Sequence, residues 1–344
     1  MTIYIFTLKE KAIKNLFPKN TRFISIKLPA LKELSNHDPE SESLSYIDIS
    51  GFSGVEIKKV LVKFQNCCRN NAWGIIDPKG SIVDPVSLLF DGAHDYLGPS
   101  ILKEPSYLDI RRFKNVLSKR QILVEEKSET GSKKGEKSSL IKNGVKLPPE
   151  TSFPGWKKIR SGKTFDFYLL YCSLKGNVAL DSRLGEKNFA QVHQRFISIL
   201  TKKLSEAEGL CWMNSGKDCL FLLPPKAKCI EAAVEASIKM IAATPIIVIE
   251  TLNITVPVNI TFALHYGAIN YSPPGQTGTV ISDAVNFIFH LGTKKAESGR
   301  LSISGEIPET SVPKLLEDLF TPVGEFEGRK IWHTKKFTYG KPWG

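Results

Sequence analysis

The sequence lacks the cysteine spacing of a disulfide framework or of a zinc site. It has six cysteines in 344 residues, with no CxxC and no Cys/His pair at zinc spacing. They are Cys67, Cys68, Cys172, Cys211, Cys219 and Cys229. Small secreted domains carry far denser cysteine, and structural zinc sites use closely spaced Cys and His pairs. We therefore expect buried free thiols, a reducing compartment and a cytoplasmic protein.

The sequence also has no long uninterrupted hydrophobic run. Charges begin after about six residues of mixed apolar character at the N-terminus, which is too short for a signal-peptide core. The richest apolar stretch, Met240 to Val258, is interrupted by two prolines, a glutamate and an asparagine. A membrane-spanning helix needs about 20 predominantly apolar residues. We therefore expect no transmembrane segment.

Basic residues exceed acidic ones. The 47 Lys and Arg against 35 Asp and Glu give a net charge of +12, in a chain that is otherwise of ordinary globular composition. Such a charge permits phosphate-bearing partners or an anionic membrane surface. However, no helix-turn-helix pattern, no aromatics among the basic runs and no basic amphipathic helix accompany it. We expect no specific nucleic-acid partner, and a nucleic-acid or membrane-surface binder remains the third hypothesis.

The length and one biased segment predict two domains. At about 150 residues per domain, the chain is long enough for two cores. Residues 125–152 are rich in Lys, Glu, Ser and Gly and nearly devoid of large apolar side chains. This composition is typical of a flexible linker. The predicted domains are therefore 1–124 and 153–344.

The first domain alternates strand-like and helix-like segments. Five short apolar runs predict strands, and the apolar residues from Ile57 to Cys68 recur at helical spacing. The runs are Thr2 to Phe6, Arg22 to Leu28, Ser45 to Ile49, Trp73 to Ile76 and the segment around Tyr96. Strands that alternate with helices form a parallel sheet with helices on both faces. We expect a doubly wound α/β domain.

The second domain has a different element order. A strand (Phe165 to Leu174) precedes a long helix, and a hairpin follows around the sequence SGKD. A second helix and two strands, Ile246 to Ile249 and Ile260 to Ile269, complete the pattern. Strand, helix, hairpin, helix, strand is the ferredoxin-like α+β arrangement.

Four motifs in this domain occur in a familiar order. They are YCSLKGN, GLCWMNSGKDCLFLLP, FALHYGAINY and TVISDAVNFIFHLGTKKAESGRLSIS. Together they resemble the class III nucleotidyl cyclase domain over about 185 residues from Phe153, in order and spacing. The resemblance implies a homodimer, because this family forms its active sites between two subunits. For an active domain it also implies an ATP or GTP site with divalent metal, Mg²⁺ or Mn²⁺, and for an inactive one it implies no cofactor.

The resemblance places the two metal positions on Ser173 and Asp218. Ser173 follows from aligning Gly176 with the motif glycine, and it offers a neutral hydroxyl where divalent cations need anionic oxygen. Asp218 matches if the hairpin has gained one residue, and it is also typical of a hairpin turn. Asp166 or Asp181 replaces the missing carboxylate if the alignment is shifted.

The other implied site positions are partly replaced as well. Met213 stands at the base-reading lysine and cannot donate a hydrogen bond, whereas Thr279 offers a hydroxyl at the partner position. Asn286 matches the ribose-orienting asparagine, and His290 replaces the arginine that steadies the transition state. We expect a regulatory or scaffolding pseudocyclase, with or without nucleotide binding. The alternative is an active cyclase that forms cyclic AMP or cyclic GMP.

Two segments of the first domain resemble a response-regulator receiver, which is a flavodoxin-like fold. GAHDYLGPS (Gly92 to Ser100) is similar to the end of the receiver, and YIDISGFSGVE (Tyr46 to Glu56) is similar to the strand and loop of the phosphoacceptor. The resemblance puts the acceptor position on Asp48.

The same segments depart from a working receiver. Phe6-Thr7-Leu8 stands in place of the magnesium-binding acidic pair, Asp77 replaces the usual Thr or Ser, and Gly98 replaces the lysine before Pro99. Phosphotransfer to an aspartate needs a magnesium ion and a lysine to hold the phosphoryl group. We expect a pseudoreceiver that serves as a docking surface for a protein partner or as a dimerisation surface.

Overall fold

The structure is a computed structural model that forms two compact units. It describes residues 1–17, 24–37, 40, 42–68, 71–104, 108–124, 153–176, 178–254, 258–276, 282–307 and 320–337. Among these, the first unit combines the residues up to 124 with 245–254, and the second combines 153–244 with 258–337. The predicted linker lies outside the described residues.

The first unit is an α/β fold. In chain order its elements up to residue 124 are β1 (Thr2–Phe6), α1 (Glu10–Leu16), β2 (Ser25–Lys27), a 3-10 helix (Leu31–Asn36), β3 (Ser43–Asp48), α2 (Gly54–Cys67), β4 (Ala72–Ile76), α3 (Pro85–Phe90), β5 (Asp95–Leu97), α4 (Pro99–Lys103) and α5 (Ile110–Val124). The strands form one parallel sheet in the order β2-β1-β3-β4-β5. The predicted parallel α/β sheet is confirmed.

Burial explains why these strands read as continuous apolar runs. Every residue of β3 and β4 is buried, as expected for central strands of a parallel sheet with both faces covered. A capping box between Ser53 and Glu56 fixes the start of α2 directly after the β3 loop. The carboxyl ends of β1, β3 and β4 therefore open into loops at one edge of the sheet.

The remaining elements follow in chain order. They are β6 (Thr164–Gly176), α6 (Val178–Lys203), β7 (Leu210–Asn214), β8 (Asp218–Leu223), α7 (Ala227–Ala242), α8 (Thr244–Ile246), a π-helical turn (Ile247–Thr251), β9 (Val258–Asn270), α9 (Asp283–His290), a second π-helical turn (Leu291–Lys295), β10 (Leu301–Ser304), β11 (Phe320–Phe326) and β12 (Arg329–Thr334). The strands form a mixed sheet in the order β11-β12-β10-β9-β6-β8-β7. The predicted hairpin and the long helix before it are confirmed.

The predicted strand Ile246 to Ile249 is wrong. These residues belong to α8 and the π-helical turn that follows it. Their β-branched side chains favour a strand in isolation. Pro245 is compatible with the first turn of a helix, however, and the side chains of the run are buried. Tertiary packing therefore overrides the local preference for a strand.

This segment packs as part of the first unit. Ile249 lies in the same apolar cluster as Ile76, Leu97 and Ile101. No single helix among the described residues is long and apolar enough to span a membrane. Helix α7 and the segment Thr244–Thr251, bent by 61°, pass that test as a pair, on length and composition alone.

The packing of β4 predicts that alanine at Gly74 destabilises the fold much more than alanine at Gly54. A methyl carbon at Gly74 would lie 2.6 Å from Tyr46 Cε1 and 2.8 Å from the Asp95 carbonyl oxygen. At Gly54 the same carbon would meet nothing within 4 Å. We expect Gly74→Ala to lower the free energy of unfolding by about 1–3 kcal/mol because the sheet cannot accommodate overpacking. Gly54→Ala is the matched control, and equal melting curves for the two variants would contradict this packing.

Candidate functional site

Ser173 and Asp218 face each other across two antiparallel strands. They are direct partners in the pairing of β6 with β8. Ser173 is buried, and its hydroxyl donates a long hydrogen bond of 3.5 Å to the Lys217 carbonyl oxygen. Directly opposed side chains lie about 5 Å apart at Cβ. The structure thus brings the two predicted metal positions together, with one carboxylate between them.

Tyr171 connects Asp218 to the end of α9. Its hydroxyl donates to Asp218 Oδ1 at 2.6 Å, and burial together with this contact raises the pKa of the phenol. Its ring packs edge-on against Phe289, with centroids 5.7 Å apart. A methyl carbon at Gly292 would lie 2.2 Å from Tyr171 Cδ1, so the chain can pass here only without a side chain. Tyr171 therefore uses one oxygen of the only carboxylate of the Ser173–Asp218 pair.

His193 adds a buried imidazole at the same corner of the fold. It lies on α6, with the Lys217 backbone and Asp218 close enough to influence its charge. Its Nε2 has no hydrogen-bond partner among the described residues, and burial lowers its pKa. Sequence reasoning missed this residue because it follows Val192 within the apolar stripe of a long helix. A buried imidazole with a lowered pKa therefore lies within electrostatic range of Asp218.

Asp166 does not supply the missing ligand. Asp166 pairs with Ala268, seven residues before Ser173 on β6. Seven residues of strand span about 23 Å and place the two side chains on opposite faces. The Asp181 side chain lies outside the described residues. The described residues contain no group of three or more His, Cys, Asp or Glu that could hold a metal ion, and this donor set does not fit a two-metal centre.

The predicted base-reading positions are less informative. Met213 lies on β7 opposite Leu220, just after a register shift, and is partly buried against the apolar core of the second unit. Its thioether is therefore a packing group in this fold. Thr279 lies outside the described residues.

The hairpin of β11 and β12 engages the polar face of α9. His290 Nδ1 lies 2.8 Å from Glu327 Oε1, and both side chains are partly exposed. Arg329, at the start of β12, forms an ion pair with Asp283, which lies two turns before His290 on α9. The Arg329 guanidinium also stacks on the Phe287 ring at 4.3 Å. Asn286 lies between these contacts. His290, the predicted replacement for the transition-state arginine, is therefore already paired with a carboxylate of its own chain.

At the carboxyl edge of the parallel sheet, each carboxylate oxygen of Asp48 accepts a hydrogen bond from a neighbour. It is buried, its Oδ2 accepts from the Thr7 hydroxyl at 2.7 Å, and its Oδ1 accepts from the Ser50 amide at 2.9 Å. Thr7 is one of the residues that the sequence resemblance places at the acidic pair of a receiver. The Lys9 ammonium donates to the Ser50 carbonyl oxygen rather than to Asp48. The aspartate is thus a structural acceptor in this conformation.

Gly98 is in contact with Glu250, which comes from far along the chain. A methyl carbon at Gly98 would lie 2.5 Å from Glu250 Cδ. The Glu250 carboxylate accepts from the amides of Ser100 and Ile101 at 3.3 and 2.9 Å. A lysine at position 98 would therefore displace Glu250. Sequence reasoning did not predict this contact of Glu250, although a lone acid within an apolar run was a visible signal.

Comparisons with family models and with curated proteins found no match. Among solved structures, the guanylyl cyclase Cya2 matches at 16% identity and a TM-score of 0.43, over 54% of this chain and 98% of that one. The adenylyl cyclase CyaB from P. aeruginosa matches at 19% and 0.41, over 51% and 96%. The guanylate cyclase domain of RhGC from Catenaria anguillulae, in complex with GTP, matches at 14% and 0.40, over 51% and 98%. All three are nucleotide cyclases or their catalytic domains.

The buried imidazole predicts a loss of stability in mild acid. Burial lowers the pKa of His193 below its usual 6.5, so below about pH 6.5 the unfolded chain binds a proton that the folded chain does not. The free energy of unfolding should therefore fall as the pH drops from about 6.5, by up to about 1.4 kcal/mol per pH unit. His193→Gln should flatten this dependence in chemical denaturation measured at several pH values.

Phe189→Leu is the control, because its ring stacks on His193 at 6.3 Å and does not titrate. This variant should lose the same stability at every pH. If His193→Gln kept the wild-type dependence of the free energy of unfolding on pH, the attribution of that dependence to His193 would be contradicted.

Proposed function

We propose that the second unit is a class III cyclase-like domain with a regulatory role and without two-metal catalysis. The proposal is carried by one observation, the pairing of Ser173 with Asp218 across β6 and β8. In a cyclase of this class, two carboxylates hold two metal ions against the triphosphate. Here the first position is a buried hydroxyl, and the second shares its carboxylate with Tyr171.

The missing charge bears on the chemistry directly. Attack of the ribose 3′-hydroxyl on the α-phosphorus places negative charge on the attacking and leaving oxygens, which divalent cations neutralise. A serine hydroxyl is a weak neutral ligand for such cations. Removal of a single preorganised charge contact costs about 10²–10³ in rate. Loss of a metal carboxylate and of the arginine together therefore argues against useful turnover.

The pairing of His290 with Glu327 supports the same conclusion. A transition-state arginine offers a permanent charge in a planar fork, whereas an imidazole is neutral over much of the physiological range. The Glu327 carboxylate adds negative charge at the place where a triphosphate would need positive charge. Asn286 is exposed on α9 and keeps the group that would orient a ribose. Nucleotide binding without turnover is consistent with both features.

We propose further that the first unit is a receiver-like regulatory domain that does not accept a phosphoryl group. The strand order β2-β1-β3-β4-β5 is that of flavodoxin-like sheets. The internal hydrogen bonds of Asp48 and the Glu250 carboxylate beside Gly98 support a non-phosphorylated role. The unit would act as a docking surface for a protein partner or within a homodimer.

Cyclase activity of the full chain tests the proposal. With ATP or GTP, in Mg²⁺ or in Mn²⁺, we expect no cyclic nucleotide above the level of an Asn286→Ala variant. Ser173→Asp restores a second carboxylate opposite Asp218 and should raise Mn²⁺ affinity at least about tenfold over Ser173→Asn, because charge rather than size distinguishes the two. Cyclic product from the wild-type chain above the Asn286→Ala level would establish the active cyclase instead.

A thermal-shift measurement distinguishes a pseudocyclase that binds nucleotide from a scaffold that does not. Stabilisation of the full chain by ATP or GTP at low Mg²⁺ indicates a nucleotide-binding pseudocyclase, since ligands that bind only the folded state raise its melting temperature. The absence of a shift with either nucleotide leaves the scaffold version.

A further inference from the structure

Buried polar atoms without partners are concentrated at two neighbouring strands of the second unit. Ser302 on β10 and His333 on β12 are direct partners in the antiparallel pairing, and they are 0% and 2% exposed. Within the described part of the chain, neither the Ser302 hydroxyl nor either ring nitrogen of His333 has a hydrogen-bond partner. The same holds for the buried Nε of Arg300, directly before β10. Buried polar atoms of folded proteins almost always have partners, so we expect a bound molecule here.

The second π-helical turn covers this part of the sheet. The row of paired residues that contains His333 and Ser302 continues across β9 to Tyr171 on β6. Gly292 of the turn lies against the Tyr171 ring, where a methyl carbon would meet Cδ1 at 2.2 Å. Directly opposed residues share one face of a sheet. The turn therefore crosses the face that carries Ser302 and His333.

Two segments that meet beside these residues are strongly basic. The Phe337 amide donates to the Gly299 carbonyl oxygen at 2.9 Å and so joins residues 333–337 to residues 291–300. Glu297 is the one acidic residue of the two segments. Their five exposed or partly exposed cations are Lys294, Lys295, Arg300, Lys335 and Lys336. The segments therefore carry an excess of positive charge beside the unpartnered atoms.

Glu297 meets these cations only at long distances. Its Oε2 lies 3.5 Å from Arg300 Nε and 4.0 Å from Lys336 Nζ, and half of its side chain is exposed. A charge-assisted hydrogen bond is usually about 2.7–2.9 Å long. Burial lowers the pKa of His333 against the opposing charge of Glu297, and the charges of Arg300 and Lys295 lower it further. The carboxylate of Glu297 therefore leaves these donors unsatisfied.

We propose that Arg300, Ser302, His333 and Lys336 form a binding site for a phosphoryl group. Its oxygens accept hydrogen bonds from a guanidinium, a hydroxyl and an imidazole at once, and arginine fits phosphate geometry especially well. Water would satisfy the hydroxyl and the imidazole, but it would leave the excess of positive charge. The same charge opposes a metal cation. Strand β9 separates this site from β6, which carries Ser173.

Calorimetric titration of the full chain with inorganic phosphate tests the proposal. With ionic strength held at about 0.15 M by chloride, we expect a dissociation constant below about 1 mM. Phenyl phosphate, a phosphomonoester, is the second probe. Tighter binding of the ester identifies the phosphoryl group of a larger molecule as the ligand, and tighter binding of the ion identifies free phosphate. Neither probe contains a nucleoside, so the result does not depend on nucleotide binding elsewhere.

Two substitutions remove positive charge from the site. Arg300→Gln should weaken phosphate binding at least about tenfold, because it removes a charged hydrogen-bond donor. Lys336→Gln should weaken binding about threefold, because its ammonium is half exposed. Lys330→Gln is the matched control, since Lys330 is an exposed lysine of the same strand, β12. It should bind phosphate as the wild type does.

Removal of the competing carboxylate should have the opposite effect. Glu297→Gln should strengthen phosphate binding about threefold, because the anion no longer displaces a carboxylate from Arg300 and Lys336. Glu325→Gln is the control, since Glu325 is exposed on β11 and the change of net charge is the same. It should leave the affinity unchanged.

Ser302→Ala distinguishes a ligand site from a gap in the packing. The variant should weaken phosphate binding at least about fivefold, because it removes a buried hydroxyl donor. Without phosphate its melting temperature should equal or exceed that of the wild type, since a buried hydroxyl without a partner destabilises the folded state.

Four results would overturn the proposal. The first is no binding of either probe to the wild-type chain, which would leave water as the occupant. The second is an equal loss of binding in Arg300→Gln and Lys330→Gln. The third is unchanged affinity in Glu297→Gln, and the fourth is wild-type affinity in Ser302→Ala. Circular dichroism of each variant establishes that the fold is retained.

Discussion

The antiparallel pairing of β6 with β9 is the constraint on which the second unit depends. Both strands have 13 residues, and they pair without interruption from Thr164 with Asn270 to Gly176 with Val258. On its other side β6 pairs with β8, and that pairing sets Ser173 opposite Asp218. Helix α9 lies over the same face of the sheet. Strand pairing therefore fixes the backbone positions of the site, and the residue types at those positions decide which functional groups it offers.

Polar side chains at three of the predicted site positions are hydrogen-bonded within this chain. Tyr171 holds Asp218, Thr7 and the Ser50 amide hold Asp48, and Glu327 holds the imidazole of His290. Hydrogen bonds of this kind stabilise a single conformation, because a buried carboxylate without partners is costly. The same contacts reduce the number of lone pairs left for metal ions or phosphoryl groups.

Sequence patterning predicted much of the fold and part of the site. Apolar periodicity located the parallel strands of the first unit and the hairpin between β7 and β8, because buried faces impose a regular spacing. The segment Ile246 to Ile249 was misread because its helical state depends on packing against residues distant in the chain. The contacts of His193 and Glu250 were invisible for the same reason. Side chains that meet only through tertiary structure leave no local pattern.

The central claim is that the pair Ser173 and Asp218 cannot assemble a two-metal centre. Electron paramagnetic resonance of Mn²⁺ titrated into the full chain, with an ATP analogue that cannot cyclise, tests it most directly. The account predicts no Mn²⁺ signal beyond that of the ion carried by the nucleotide itself, because the pair of Ser173 and Asp218 supplies a single carboxylate. Two exchange-coupled Mn²⁺ ions per chain would contradict the account and would show that a second anionic ligand reaches the site.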